Sequence, residues 1–225
     1  MMGVYLYCAV PAGELRCDGV TGIDGSSVTA LIEARVEYWY SPLAARPDPS
    51  IEGIRQHNAV VEAAVSTHTT PLPIRFGQWF EHEDQLREQV RRHCTTHIER
   101  LENFRGALEF GLRVVDPRLP TEPSPDAIAT GSGRDYLVAV RNRLSPQPGP
   151  MADAVATQMR EQFSGIVRAE MIEPLRTAHG VLSAAHMVAR EQFTAWHQAV
   201  DILRQQFPEL RFLASGPWPP YSFAA

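Results

Sequence analysis

His93-Cys94-Thr95-Thr96-His97 is the spacing in this chain with the plainest chemical reading, because histidines at i and i+4 share a helix face and can chelate a borderline cation. The segment lacks the glutamate of an HExxH arrangement and has no third or fourth ligand near it in sequence, so the expected state is an exposed or interfacial pair without stoichiometric metal. His57 and His68 fall on the apolar-facing side of an earlier helix and read as core-edge residues, while His82, His179, His186 and His197 sit singly. Glu81, Glu83 and Asp84 precede a long helix, where negative charge complements the helix N-terminus. No carboxylates pair at a spacing that marks acid–base work. Gly131-Ser132-Gly133 is half of a phosphate loop without the surrounding fingerprint, and reads as a turn with Ser132 as a helix N-cap. There is no GxSxG elbow. All 21 basic residues are arginine, which removes Schiff-base chemistry, a Walker lysine and a lysine general base from this chain. The sequence predicts no enzyme, no cofactor and no metal site.

One further residue stands out by its surroundings. In Pro71-Leu72-Pro73-Ile74-Arg75-Phe76-Gly77, an arginine lies beside aromatics; buried there it would need a carboxylate or carbonyl partner, and the expected role is to orient one half of the chain against the other.

Composition narrows the classes further. A chain of 225 residues with 44% apolar side chains can build real cores, and its proline pattern favours two domains over one. The formal charge is −5 and no basic cluster is denser than Arg91-Arg92, so a nucleic-acid footprint is absent. No apolar run approaches the roughly 20 residues of a membrane span, and the opening residues lack a signal peptide's charged and apolar regions. The expected location is the cytosol. Cys8, Cys17 and Cys94 form no CxxC pair and are expected to be reduced and mostly buried.

The elements that must position these residues follow from hydrophobic period. Val4 to Val10 is apolar on both faces, as a central strand is, and Val28 to Ile32 and Arg35 to Tyr40 read as a strand pair. Ile51, Ile54, Val61, Val65 and His68 recur at helical spacing, predicting an amphipathic helix over 50–68 that Pro71-Leu72-Pro73 ends. A short strand is expected over 74–80, then a long charged helix marked by Leu86, Val90, Cys94 and Leu101. In the second half, Leu108, Phe110, Leu112 and Val114 alternate with Glu109, Gly111 and Arg113, predicting a half-buried strand with one wet face. Helical patterns at 134–144 and 151–166, strands at 167–172 and 182–188, a helix from Phe193 to Phe207 and a strand from Leu210 to Ala214 complete the chain. The fold class read from this order is α+β: an α+β domain over 1–104, then a β-α-β-β-α-β, ferredoxin-like domain over 105–215 with one helix broken in two. The stretches 42–49, 117–125 and 146–150 are proline-rich and expected to be loop.

The chain closes with Gly216-Pro217-Trp218-Pro219-Pro220-Tyr221-Ser222-Phe223, three prolines and three aromatics in eight residues. Proline fixes φ and biases its predecessor towards extended backbone, so 216–225 is expected to be a stiff tail that loses little entropy on docking. Self-packing on the body is the first reading, with Tyr221 to Ala225 covering the second domain; insertion into a partner is the second.

That GPWPPYSF ending resembles the gas-vesicle protein F/L family. Val4-Tyr5-Leu6-Tyr7 is similar to the family's opening strand, Leu72-Pro73-Ile74-Arg75-Phe76-Gly77 to its central segment, and Gly133-Arg134-Asp135-Tyr136-Leu137 to its GRxYL helix start, in the expected order over nearly the whole chain. Gln78-Trp79 departs from the usual small polar residue that follows. The resemblance implies two α+β domains and a cytosolic accessory or minor structural protein of gas-vesicle assembly, whose partners are the hydrophobic shell protein and other accessory proteins. Arg75, Phe76, Trp79, Gly216, Pro217, Trp218, Pro219, Pro220, Tyr221 and Phe223 are the candidate interaction residues, arginine and large aromatics being the types that dominate such contacts. Two readings from other classes stand beside it: a small-molecule enzyme of the dimeric ferredoxin-like kind, which needs a deep pocket with convergent polar groups, and a proline-rich ligand for a groove-type domain, which needs an exposed, mobile tail.

Overall fold

A computed structural model describes residues 2–66, 69–118, 150–175 and 180–224. The helix expected over 134–144, the Gly131–Gly133 turn, the Gly133–Leu137 segment, His68 and His179 lie outside the described residues. The chain is mixed α+β and divides into two compact units, one of Met1–Glu109 with Pro217–Ala225, the other of Phe110–Gly216. The division falls inside a strand at each crossing, rather than at residues 104 and 216 where the sequence reading cut the chain.

In the first unit the sheet runs β2 (Thr29–Glu33), β3 (Val36–Leu43), β1 (Gly3–Pro11), β4 (Leu72–Pro73), with β5 (Trp79–Phe80) also on β1. These pairings are antiparallel. Strand β1 is buried along both faces, as its unbroken apolar run requires. Val4, Leu6 and Ala9 face one core with Leu86, Val90 and Leu101 of α2 (Glu83–Phe104); Tyr5, Tyr7, Cys8 and Val10 face another with Val60 and Val61 of α1 (Ile51–Ala63). Side chains alternate along a strand, so Tyr7 and Cys8 can share a side only through the register shift between Leu6 and Cys8 against β3. The single strand expected over 74–80 is instead two two-residue strands with 74–78 held between them. Helix α1 also turns differently from the expectation: Ile51 is 76% and Ile54 41% exposed, and the buried stripe is Gly53, His57, Val60 and Val61. Ser50 caps it, its hydroxyl accepting from the Gly53 N–H.

The second unit has strand order β7 (Val167–Pro174), β8 (Gly180–Ala189), β6 (Ala107–Val115), β9 (Arg211–Trp218). Phe110, Leu112 and Val114 face the core with Val155, Met159 and Phe163 of α3 (Pro150–Phe163) and Trp196, Val200 and Leu203 of α4 (Phe193–Gln206). Trp196 donates from Nε1 to His186 Nδ1 at 2.9 Å, and the buried Nε2 of that histidine has no partner among the described residues. Burial pulls the His186 pKa down to about 4. The wet face expected at Glu109 is not there: its carboxyl belongs to the first unit and is 8% exposed.

Candidate functional site

A cleft of about 820 Å³ opens at the β4–β5 edge of the first sheet. Its walls are the outer turn of α1 at Ile54 and Asn58, the segment 73–78 between the two short strands, one stripe of α2, and the chain's closing residues Tyr221 and Ala224. The segment 73–78 cannot lie flat as a strand. Gly77 at φ +93° turns it outward, and its backbone pairs with the β1 backbone at the ends, through the Ile74 N–H on the Tyr7 carbonyl at 2.8 Å and the Leu6 N–H on the Gln78 carbonyl at 3.0 Å.

Behind that segment a hydroxyl and an imidazole fix the geometry. The Gly77 N–H donates to the Tyr5 hydroxyl at 3.0 Å, and that hydroxyl lies 2.9 Å from His57 Nδ1. With its oxygen already accepting, Tyr5 donates to Nδ1, which assigns the imidazole proton to Nε2. Nε2 is buried and makes no hydrogen bond of ordinary geometry. Burial, partly offset by the nearby Ile74 backbone, lowers the His57 pKa to about 4, and burial raises that of Tyr5 to about 12. The His57 ring sits edge-on to Phe76 with centroids 5.8 Å apart, so Phe76 and the turn after it are braced from inside.

On α2, Gln89, His93 and His97 form a single i, i+4, i+8 stripe along the cleft. The His93 and His97 rings stack with centroids 6.0 Å apart. Nδ1 of His93 donates to the Gln89 carbonyl, and Nδ1 of His97 meets the Tyr38 hydroxyl, both at 2.9 Å. Burial, with the neighbouring His93 and Arg100, takes the His97 pKa down to about 4. Among the described residues no group of three histidine, cysteine or carboxylate side chains is placed to hold a metal.

The fourth wall is held by four hydrogen bonds to three residues. Tyr221 donates from its hydroxyl to Asn58 Oδ1 at 2.8 Å; Ser222 donates from its N–H and its hydroxyl to the two Glu109 oxygens at 2.8 and 2.7 Å; Arg100 donates to the Ala224 carbonyl at 2.6 Å. Phe223 packs edge-on to Phe104 at 5.9 Å. Pro219 and Pro220 are buried.

The sequence candidates thus separate. Arg75, Phe76 and Tyr221 line the cleft, and Arg75 is exposed rather than buried. Trp79 lies on β5 with its Nε1 buried and without a hydrogen-bond partner among the described residues, its ring so close to Gly3 that a Cβ there has no room. Gly216, Pro217 and Trp218 continue β9 and are exposed, Trp218 by 47%. Phe223 fastens the tail and does not line the cleft. The tail residues from Pro217 belong to the first unit, not over the second as expected. His57, Asn58, Arg100 and Glu109 went unselected; the one available signal was a histidine and a carboxylate set in apolar patterns.

The family model described as gas vesicle synthesis protein GvpL/GvpF matches residues 3–225. The chain is 29% identical to gas vesicle protein L of Streptomyces sp. (strain CB03234), over 98% of this chain and 92% of that one. It is 26% identical to gas vesicle protein L1 of Halobacterium salinarum, over 99% and 90%. Its fold is similar to the crystal structure of GvpF from Anabaena sp. PCC7120, with a TM-score of 0.77, 17% identity and coverage of 100% of this chain and 97% of that one. It is similar also to GvpF from Microcystis aeruginosa, at 0.73, 21% and full coverage of both chains.

Proposed function

The chain belongs to the gas vesicle synthesis protein GvpL/GvpF family, and from that membership we propose that it is an accessory protein of gas-vesicle assembly. In this reading it binds the hydrophobic shell subunit, together with other accessory proteins, and shields or orients the subunit's apolar face before or during polymerisation. It is non-catalytic, cytoplasmic and vesicle-associated, and no helix among the described residues is long and apolar enough to cross a membrane.

The observation that carries the reading is a convergence. Residues 72–77 and 217–223, two of the segments that resemble the family, meet at one cleft although some 140 residues separate them, with Arg75 and Phe76 from one and Tyr221 from the other in its walls. The lining is mainly apolar, and the apolar surface continues outside through exposed Ile51. Arginine with large aromatics is the composition of interaction hot spots. Phe76, Trp79 and the tail are assigned to the same surface or its support. The ferredoxin-like assignment of the second unit, β-α-β-β-α-β over about 105–215, is part of the proposal; the strand order β7-β8-β6-β9 supports it.

The small-molecule enzyme reading has one observation in its favour, a cleft volume within the roughly 300–1,000 Å³ of ligand pockets. The proline-ligand reading is disfavoured by the burial of Pro219 and Pro220. Co-purification of tagged protein with the shell subunit is the test: the shell subunit is expected in the eluate at a defined ratio, and its absence at near-stoichiometric protein concentrations would sink the assignment.

A further inference from the structure

We propose that the cleft recognises an acidic side chain carried on an otherwise apolar protein segment, with the Arg75 guanidinium as the anchoring cation. The identity of that segment, a stretch of the shell subunit, rests on the function proposed above; the charge and the anchor do not.

Charge complementarity is the first ground. The chain has 26 acidic and 21 basic residues, yet among the described residues the cleft is lined by Arg75 and three imidazoles and by no carboxylate. His57 and His97 stay neutral near pH 7 because burial disfavours their charged forms, which leaves Arg75 as the permanent charge. Arg75 is exposed and has no ion-pair partner among the described residues, whereas Arg87, Arg91 and Arg92 on the adjoining helix each hold a glutamate. A guanidinium in a wall shared with Pro73, Phe76 and Tyr221 is more weakly hydrated than an ammonium and presents a planar fork matched to a carboxylate.

The second ground separates a protein segment from a small carboxylate. Ile54 lies in the cleft wall, and Ile51, one turn earlier on the same helix face and 76% exposed, continues the apolar strip beyond it by roughly 5 Å. A complementary body must therefore extend past the cleft mouth, as a helix or extended peptide does.

The test uses the full chain and purified shell subunit, with binding followed by biolayer interferometry. Arg75→Glu is expected to weaken binding at least tenfold, Arg75→Lys only a few-fold, and wild-type affinity is expected to fall as salt rises. Single Asp or Glu to Arg changes in the shell subunit are then paired with Arg75→Glu; one of them is expected to restore binding by at least tenfold. Because Arg75 is exposed, its variants should melt as wild type does. Wild-type-like affinity of Arg75→Glu overturns the anchor while leaving shell binding intact, and absence of wild-type binding overturns the partner and the proposed function together. Arg75-dependent saturation by decanoate that blocks the shell subunit, with no rescuing charge swap, would replace the protein segment by a small carboxylate amphiphile.

Discussion

At the scale of single residues, His57 shows how a titratable side chain can be made structural. Its Nδ1 accepts from Tyr5, whose oxygen in turn holds the Gly77 N–H, so one hydroxyl joins β1, α1 and the turn that opens the cleft. Tyr5→Phe removes both contacts and leaves a buried N–H and ring nitrogen without partners; a loss of about 1–3 kcal/mol in urea unfolding is expected. The same histidine sets an acid limit. Its folded pKa of about 4 lies below the unfolded value near 6.5, so as the pH falls the unfolded chain takes up the proton first. Stability is therefore intact above about pH 6.5 and is lost progressively towards pH 4, by roughly 2 kcal/mol at pH 5. His186, with the same direction and cause, predicts the same loss for the second unit. His57→Gln and His186→Gln variants should each flatten the melting temperature against pH between 7 and 5; an unchanged slope in both would contradict the assignment.

At the scale of elements, the tail is a strap whose hold is uneven. Trp218 is half exposed and makes little of the attachment, whereas Ser222 is gripped twice by a carboxylate that is itself buried. Glu109→Ala is expected to cost about 2 kcal/mol and to quicken chymotryptic cleavage after Tyr221 and Phe223, while Trp218→Ala shifts stability by less than about 1 kcal/mol. Equal cleavage rates in the two variants would show that the carboxylate is not the clasp. These contacts also mark the limit of what the sequence discloses. Strand β1 was legible because an apolar run buried on both faces needs no knowledge of its neighbours, and α2 was legible by period alone; β9 was legible only to Ala214, its continuation through Pro217 and Trp218 having been read as tail. The buried face of α1 was legible only in part: His57 and Val61 read as apolar-facing and are buried, whereas Ile51 and Ile54, expected beside them, are exposed, and the hydroxyl that satisfies His57 is 52 residues away. Glu109 read as a wet position for the same reason: the Ser222 groups that satisfy it lie 113 residues on. Local pattern reports desolvation cost; it cannot report a distant partner that offsets it. The cleft was legible only as two conspicuous segments, and their meeting is a tertiary fact.

At the scale of the whole molecule, two units with separate hydrophobic cores, one on each face of β1 in the first and a single one in the second, imply two cooperative units. Deleting residues 219–225, which leaves β9 whole, should lower the unfolding midpoint reported by hydrogen exchange in β1 and α1, while the Trp196 environment in the second unit keeps its own; a common shift of both would refute their independence. The order of the chain adds a constraint in time. The first unit is completed by a segment that follows all of the second, so a ribosome releases the cleft's last wall, Tyr221 and Ala224, only after the intervening 107 residues have emerged. Domains tend to fold as they are synthesised, N-terminal part first. A nascent first unit can thus settle its sheet and both helices yet present an unfinished groove, and a chain interrupted anywhere in its second half never finishes it. The groove's last wall is in this way added only after the whole of the second unit, a consequence of connectivity alone.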